Sequence, residues 1–179
     1  MQPKERIFLI IDGSNFYHRL KELDLSHLLT FDYVRFANFL AGKRKIISKK
    51  YYIGAIREET NNKKSKILRR NQRIFVGKIK NQGWHVVFGA MLKNGGYHEK
   101  GVDVHIAVDI LIGAYENLYD TLIIVSSDTD LIPALAKARL MHKRVEYIGF
   151  SHKPSHAIIE YSDVRRLLTK EDLEQFIST

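Results

Sequence analysis

The apolar residues of this chain fall into short continuous runs and helix-spaced sets, and the two kinds alternate. Residues 7–11, Ile7-Phe8-Leu9-Ile10-Ile11, are unbroken apolar positions stopped by Asp12-Gly13. Together with Arg6 this run predicts a strand covered on both faces, as in parallel sheets, because a half-exposed strand would alternate. Residues 15–25 read as a helix. Asp32 is placed to cap a second one over residues 33–40, with Val34, Phe36, Ala37 and Leu40 on its apolar face. Residues 50–56, rich in aromatic and β-branched side chains, predict the next strand.

Residues 61–81 begin polar and continue with helically spaced Ile67, Leu68, Phe75 and Ile79, and Gly83 suits a left-handed stop. Residues 84–88, 122–125 and 145–149 predict three further strands. Residues 102–117 and 131–141 predict two further helices, the second with Pro133 in its first turn, where proline is tolerated. Asn94-Gly95-Gly96 reads as a loop, and the chain from Asp163 onward as a short helical tail. Strands alternating with helices predict an α/β protein with a parallel, doubly wound sheet. The length of 179 residues suits one domain over 1–179, and no internal repeat is visible.

Composition narrows the chemistry. There is no cysteine, which excludes disulfides, thiol nucleophiles and cysteine-ligated zinc. The apolar runs are too short to span a bilayer, and the first six residues lead straight into a strand without a signal-peptide core, so a soluble, cytoplasmic protein is expected. The net charge of +9 favours polyanionic partners. The cations are clustered: Lys43, Arg44, Lys45, Lys49 and Lys50 form one group, and Lys63, Lys64, Lys66, Arg69, Arg70, Arg73, Lys78 and Lys80 a denser one.

The acidic residues of interest lie elsewhere. In an open parallel sheet, ligands bind beyond the carboxyl ends of the strands. Two predicted strands end there in acidic segments, Asp12-Gly13-Ser14-Asn15 and Ser126-Ser127-Asp128-Thr129-Asp130. Asp103 stands where a glycine-containing loop meets the long apolar helix. Each aspartate alone is accounted for by a turn or a helix cap. Three separate segments carrying carboxylates to one sheet edge point instead to a cation site, since clustered carboxylates stay ionised cheaply only around a cation. Oxygen-only ligands favour Mg²⁺ or Mn²⁺ over zinc. Such ions polarise phosphodiester oxygens and activate water. Asn15 would orient a water or ligand oxygen without adding charge, and Ser127 would donate to a carboxylate or phosphate.

In these motifs, together with Lys100-Gly101-Val102-Asp103-Val104, the sequence resembles the NYN family of PIN-like ribonucleases, with the motifs in the family's order across nearly the whole chain. The resemblance implies a Rossmann-like, three-layer PIN fold with a mostly parallel sheet flanked by helices. It also implies Mg²⁺- or Mn²⁺-dependent RNA cleavage, with Asp12, Asp103, Asp128 and Asp130 as the metal-binding and catalytic positions. Asp109 resembles a further family aspartate. It lies six residues past Asp103, which turns it away on a regular helix and marks it as supporting or structural.

Lys100 would hold a phosphate or restrain the acidic group, and Lys66, Arg69, Arg70 and Arg73 would grip the RNA backbone. Phe16, Tyr51, Tyr52 and Tyr97 are placed either to stack on bases or to fill the core. His98 and His105 flank Asp103 without zinc-ligand spacing, and His18 is the other histidine near a motif. The substrate expected is RNA, single-stranded by preference because its backbone must bend into the site. A homodimer, common among PIN-like relatives, would extend the basic groove. The competing reading is a non-catalytic RNA-binding regulatory module on the same fold. A haloacid-dehalogenase-like phosphatase is disfavoured by Ser14, where a second aspartate would stand. A dinucleotide-binding enzyme is disfavoured by the acidic first turn.

Overall fold

The computed structural model describes residues 4–25, 28–56, 62–93 and 97–177. Strand β1 (Arg6–Asp12) is central, and its continuous apolar run is explained by burial on both sides. Ile7, Leu9 and Ile11 face one apolar cluster, whereas Phe8 and Ile10 face the other. Helices α1 (Gly13–Glu22), α2 (Tyr33–Ala41) and α3 (Lys63–Asn81) supply the first cluster through Phe16, Phe36 and Phe75. Helices α4 (Val102–Tyr115), α5 (Ile132–Leu140) and α6 (His156–Glu160) supply the second through Ile106, Leu135 and Ile158. A sheet with helices on both faces is the three-layer arrangement expected of an α/β protein.

Between these layers lie β2 (Lys45–Ile53), β3 (His85–Phe88), β6 (Thr121–Val125), β7 (Arg144–Phe150) and β8 (Val164–Leu168). The order across the sheet is β3-β2-β1-β6-β7-β8, and every neighbouring pair is parallel. Strand order therefore reverses between β1 and β6. This switch point is where open α/β sheets leave a crevice at the carboxyl edge. A separate antiparallel pair, β4 (Ala90–Lys93) and β5 (Tyr97–Lys100), precedes α4. Among the described residues, no helix is long and apolar enough to cross a membrane.

Several boundaries depart from the local pattern for tertiary reasons. Strand β2 starts at Lys45 rather than 50, because its lysine-rich beginning pairs with β1 from Arg6 onward. It stops at Ile53, short of 56. The helical tail expected from Asp163 is instead strand β8, which pairs along β7 and is followed by the short helix α7 (Lys170–Glu174). The weak local preference of Val164-Arg165-Arg166-Leu167-Leu168 yields to the open edge of β7. The sheet consequently has six strands where the sequence pattern suggested five. The pair β4–β5 flanks a segment read as a loop, and residues 94–96 themselves lie outside the described set.

At the opposite, amino-terminal edge, Glu146 of β7 is 6% exposed and forked by Arg44, with guanidinium–carboxylate distances of 2.6 and 2.9 Å. Arg44 also donates to the carbonyls of Leu40 and Ala41 at the end of α2, at 3.1 and 2.9 Å. One side chain thus ties a helix terminus to the sheet. Replacing Arg44 with Met strands a largely buried carboxylate with only Arg144 beside it at 3.4 Å. Arg44→Met should cost about 2 kcal/mol in urea unfolding, and adding Glu146→Leu should restore most of it. An unchanged midpoint in the single variant would show that the pair does not hold α2 to the sheet.

Candidate metal centre

Asp12 ends β1 and is at the same time the N-cap of α1, with backbone φ −75° and ψ 103°. One carboxylate oxygen, Oδ1, accepts the Asn15 amide at 3.0 Å, and Oδ2 accepts the Ser126 hydroxyl at 2.9 Å. Glycine follows because β2 passes close by: a Cβ on Gly13 would lie 2.5 Å from the Tyr52 carbonyl oxygen. Across the switch point, Ser126 at the end of β6 is fully buried. Its Oγ also accepts the Asp128 amide at 3.1 Å. The Asn15 side-chain oxygen accepts the Ser127 amide at 3.1 Å. These bonds stitch the β1–α1 corner to the loop after β6, so Asp12 and Asp128 are fixed relative to each other.

Asp128 caps a single 3₁₀ turn (Thr129–Leu131), its side chain accepting the Asp130 amide at 3.0 Å. Asp103 comes from a third element. Its helix α4 is capped not by a side chain but by Gly101, whose φ of 94° lies in the region glycine tolerates. Asp103 therefore stands inside the first turn rather than at the cap position, and its carboxylate is left without a capping duty. Carboxylate oxygens of Asp12, Asp103 and Asp128 lie within 4.8 Å of one another. They border a cleft of about 660 Å³ that is also lined by Ser14, Asn15 and His18.

Burial pushes the Asp12 carboxyl above the ordinary carboxylate range, against hydrogen bonds from Asn15 and Ser126, and the Asp128 charge adds to the rise. Asp103 is raised first by burial, then by the charges of Asp128, Asp12 and Asp130, and by a hydrogen bond shared with Asp128. The main causes of both shifts are burial, local hydrogen bonds and neighbouring carboxylates, with no lysine or arginine among them. Lys50, the base that reaches α4 from the sheet, is bound to Asp109 at 2.9 Å. An all-carboxylate cluster with no ion pair to a lysine or arginine among the described residues has the donor chemistry of a hard divalent cation site. The amino-terminal turns of α1 and α4 partly offset the cost of holding the charges there.

The residues singled out from sequence fall into distinct groups. Asp12, Asp103 and Asp128 converge, and Asn15 lines the cleft while bracing Ser127. Asp130 stands outside the trio, exposed in the 3₁₀ turn, with its charge felt at Asp103. Ser127, expected to serve a carboxylate or phosphate, instead shares a 3.2 Å hydrogen bond with the Tyr147 hydroxyl. The carboxylate donor is its neighbour Ser126, which sequence reasoning passed over. Its place at the buried end of an apolar strand was the available signal. Asp109 accepts the Tyr52 hydroxyl at 2.5 Å as well as Lys50, tying α4 to β2. Phe16, Tyr51 and Tyr52 are core residues, exposed by 1% or less, and so are not base-stacking platforms. His105 is exposed on α4, and Lys66, Arg69, Arg70 and Arg73 lie exposed along α3. The side chains of Tyr97, His98 and Lys100 lie outside the described residues.

A parallel sheet wound in two directions about a carboxylate-lined switch point defines a Rossmann-like protein of PIN-like architecture. The NYN domain model matches residues 6–167, and the chain belongs to that family. The structure is similar to that of a protein of unknown function from Vibrio parahaemolyticus, with a TM-score of 0.70 and 25% sequence identity over 94% of this chain and 96% of the other. No curated protein matches the sequence.

The electrostatics make a signed prediction for Asp12→Asn, which keeps a capping side chain while removing a charge. In EDTA at neutral pH the variant should melt above wild type. The folded carboxyl titrates above the unfolded one, so wild-type stability is lost as pH rises from the unfolded value of about 3.9 through the raised folded value. The gap between the two proteins should therefore close in acid and be full at neutral pH. Mg²⁺ or Mn²⁺ should raise the melting temperature of wild type and leave the variant nearly unmoved. A variant less stable than wild type in EDTA at neutral pH would show that Asp12 is chiefly a cap.

Proposed function

We propose that this protein is a metal-dependent endoribonuclease hydrolysing RNA phosphodiester bonds at the cleft of Asp12, Asp103 and Asp128, with Mg²⁺ or Mn²⁺ as its ion. The observation that carries the reading is Asp103. Caps explain Asp12 and Asp128, as they would in a binding module with no catalytic duty. Asp103 caps nothing, yet its carboxylate is brought against the other two despite mutual repulsion. Membership of the NYN family supports the same conclusion.

In this scheme the three aspartates hold the cation, and Asp130 at the rim adds negative charge that favours its capture. When bound, the ion polarises a phosphodiester oxygen and lowers the pKa of a coordinated water. Ser126 and the Asn15 amide keep both oxygens of Asp12 oriented, while Asn15 and Ser126 fix the loop that presents Asp128. Lys66, Arg69, Arg70 and Arg73, exposed along α3, would draw in the polyanion and, with Lys100 beside the cleft-forming helix, give binding a steep salt dependence.

Purified protein should cleave single-stranded RNA with Mg²⁺ or Mn²⁺ and stop in EDTA. Asp12→Asn and Asp128→Asn should each lower the rate by about a hundredfold or more. RNA binding in both variants should stay within a few-fold of wild type. Tight, salt-sensitive binding with no cleavage by wild type in either metal would establish the binding module in its place.

A further inference from the structure

A second concavity of about 640 Å³ opens beside the acidic cleft and shares Ser14 and His18 with it. It runs between α1 and α3 across the carboxyl end of β2, and its character is different. Leu29, Ile56 and Leu68 contribute its exposed apolar surface, with Tyr17 at the cleft side. Its floor is rigid. Gln72 spends its side-chain amide on the backbone, donating to the Gly54 carbonyl and accepting the Ile56 amide at 2.8 Å. Tyr17 stands edge-on to His18, ring centroids 5.4 Å apart, so an aromatic pair borders the join between the two concavities.

Apolar side chains exposed next to a charged cleft are costly unless something covers them. The cover is indicated by charge. On α3 the groove-lining positions Leu68, Asn71 and Phe75 belong to one helical face, which Lys64 and Lys78 continue a turn before and a turn after. Lys78 reaches across to the Leu29 carbonyl at the groove margin. The surface is apolar where a flat ring would lie and cationic at both ends where phosphates would run. A nucleic acid strand has that pattern, with the base unstacked and the backbone along the rim. A wholly apolar ligand would have no use for the flanking lysines.

We propose that this groove is a nucleobase pocket for the nucleotide flanking the scissile phosphate. Asn71 offers an amide to the base edge, and Tyr17 and Leu68 cover its faces. The inference rests on the nuclease reading for the position of that phosphate, and the groove itself has a readout that needs no cleavage. A duplex keeps its bases stacked and cannot fill the pocket without opening, which makes the protein select single strands.

The test uses short single-stranded RNAs carrying 2-aminopurine at successive positions, bound in EDTA to wild type and to Leu68→Asp. Leu68 is 43% exposed, so the change is compatible with folding, to be checked by circular dichroism. Fluorescence should change at one or two positions with wild type, and the change should be lost with Leu68→Asp. Where wild type cleaves, an abasic nucleotide at that position should raise KM about tenfold with kcat nearly unchanged, and should add nothing further in Leu68→Asp. Equal signals at every position, or signals undiminished in a folded Leu68→Asp, would overturn the pocket. If wild type fails to cleave in any metal, the nuclease reading falls. The position-specific signal and its loss in the variant then still decide whether the groove takes a base.

Discussion

Carboxylates that converge within 4.8 Å repel one another, and much of the structure around the switch point serves to hold them there. A cluster of this kind would spread apart on flexible loops. Here each member is attached to a regular element: Asp12 to the central strand β1, Asp128 to the turn after its neighbour β6, and Asp103 to the first turn of a long helix. Ser126 is the hinge of the arrangement. A single buried hydroxyl donates to Asp12 and accepts from the Asp128 amide, so the two acidic loops cannot separate without leaving that hydroxyl unpaired. An unpaired buried polar group costs about 1–3 kcal/mol, comparable with what the repulsion could recover.

Helix α4 needs a restraint of its own, since the link of Asp103 to the other two corners is the hydrogen bond it shares with Asp128, between two groups of like charge. Asp109 supplies it. On a regular helix the six-residue spacing turns Asp109 away from Asp103 and towards the sheet, where Tyr52 and Lys50 of β2 both bind it. Tyr52 is paired in register with Asp12, so the latch acts at the level of the site. The same geometry removes the nearby lysine as a competitor for the cluster, because Lys50 is spent on Asp109. Two aspartates on one helix thereby divide the labour: Asp109 is paired within the protein, and Asp103 lines the cleft.

What the sequence made legible follows from how local each feature is. The buried central strands could be read because burial on both faces leaves no polar position in Ile7–Ile11 or in residues 122–125 of β6. The acidic segments could be read because they interrupt those runs abruptly. Strand β8 could not, since Val164-Arg165-Arg166-Leu167-Leu168 carries neither alternation nor an apolar run, and it becomes a strand only because β7 offers an unpaired edge. The lysine-rich start of β2 escaped notice for the same reason. At the site, the convergence of three aspartates was foreseeable from strand ends, whereas the exchange of roles between Ser126 and Ser127 was not. Adjacent residues on an extended backbone point in opposite directions, and which one meets Asp12 depends on the twist of the chain leaving β6.

The aromatic residues show that pattern alone leaves the choice between stacking and core undecided. Tyr51 and Tyr52 are stacking candidates by residue type, yet both rings are consumed by the two cores. The exposed apolar surface beside the cleft comes instead from aliphatic residues of α3 and the segments around Leu29 and Ile56. These positions look unremarkable in sequence because they are scattered over more than one element. Binding surfaces of parallel sheets form where loops and helix starts meet at the carboxyl edge, so their residues share a place and not a motif. The acidic cluster is compact enough to leave motifs behind, since each aspartate must sit at a fixed strand or helix end. A groove that covers the faces of a flat ring would impose no such spacing, and its residues are free to come from any element that reaches the edge.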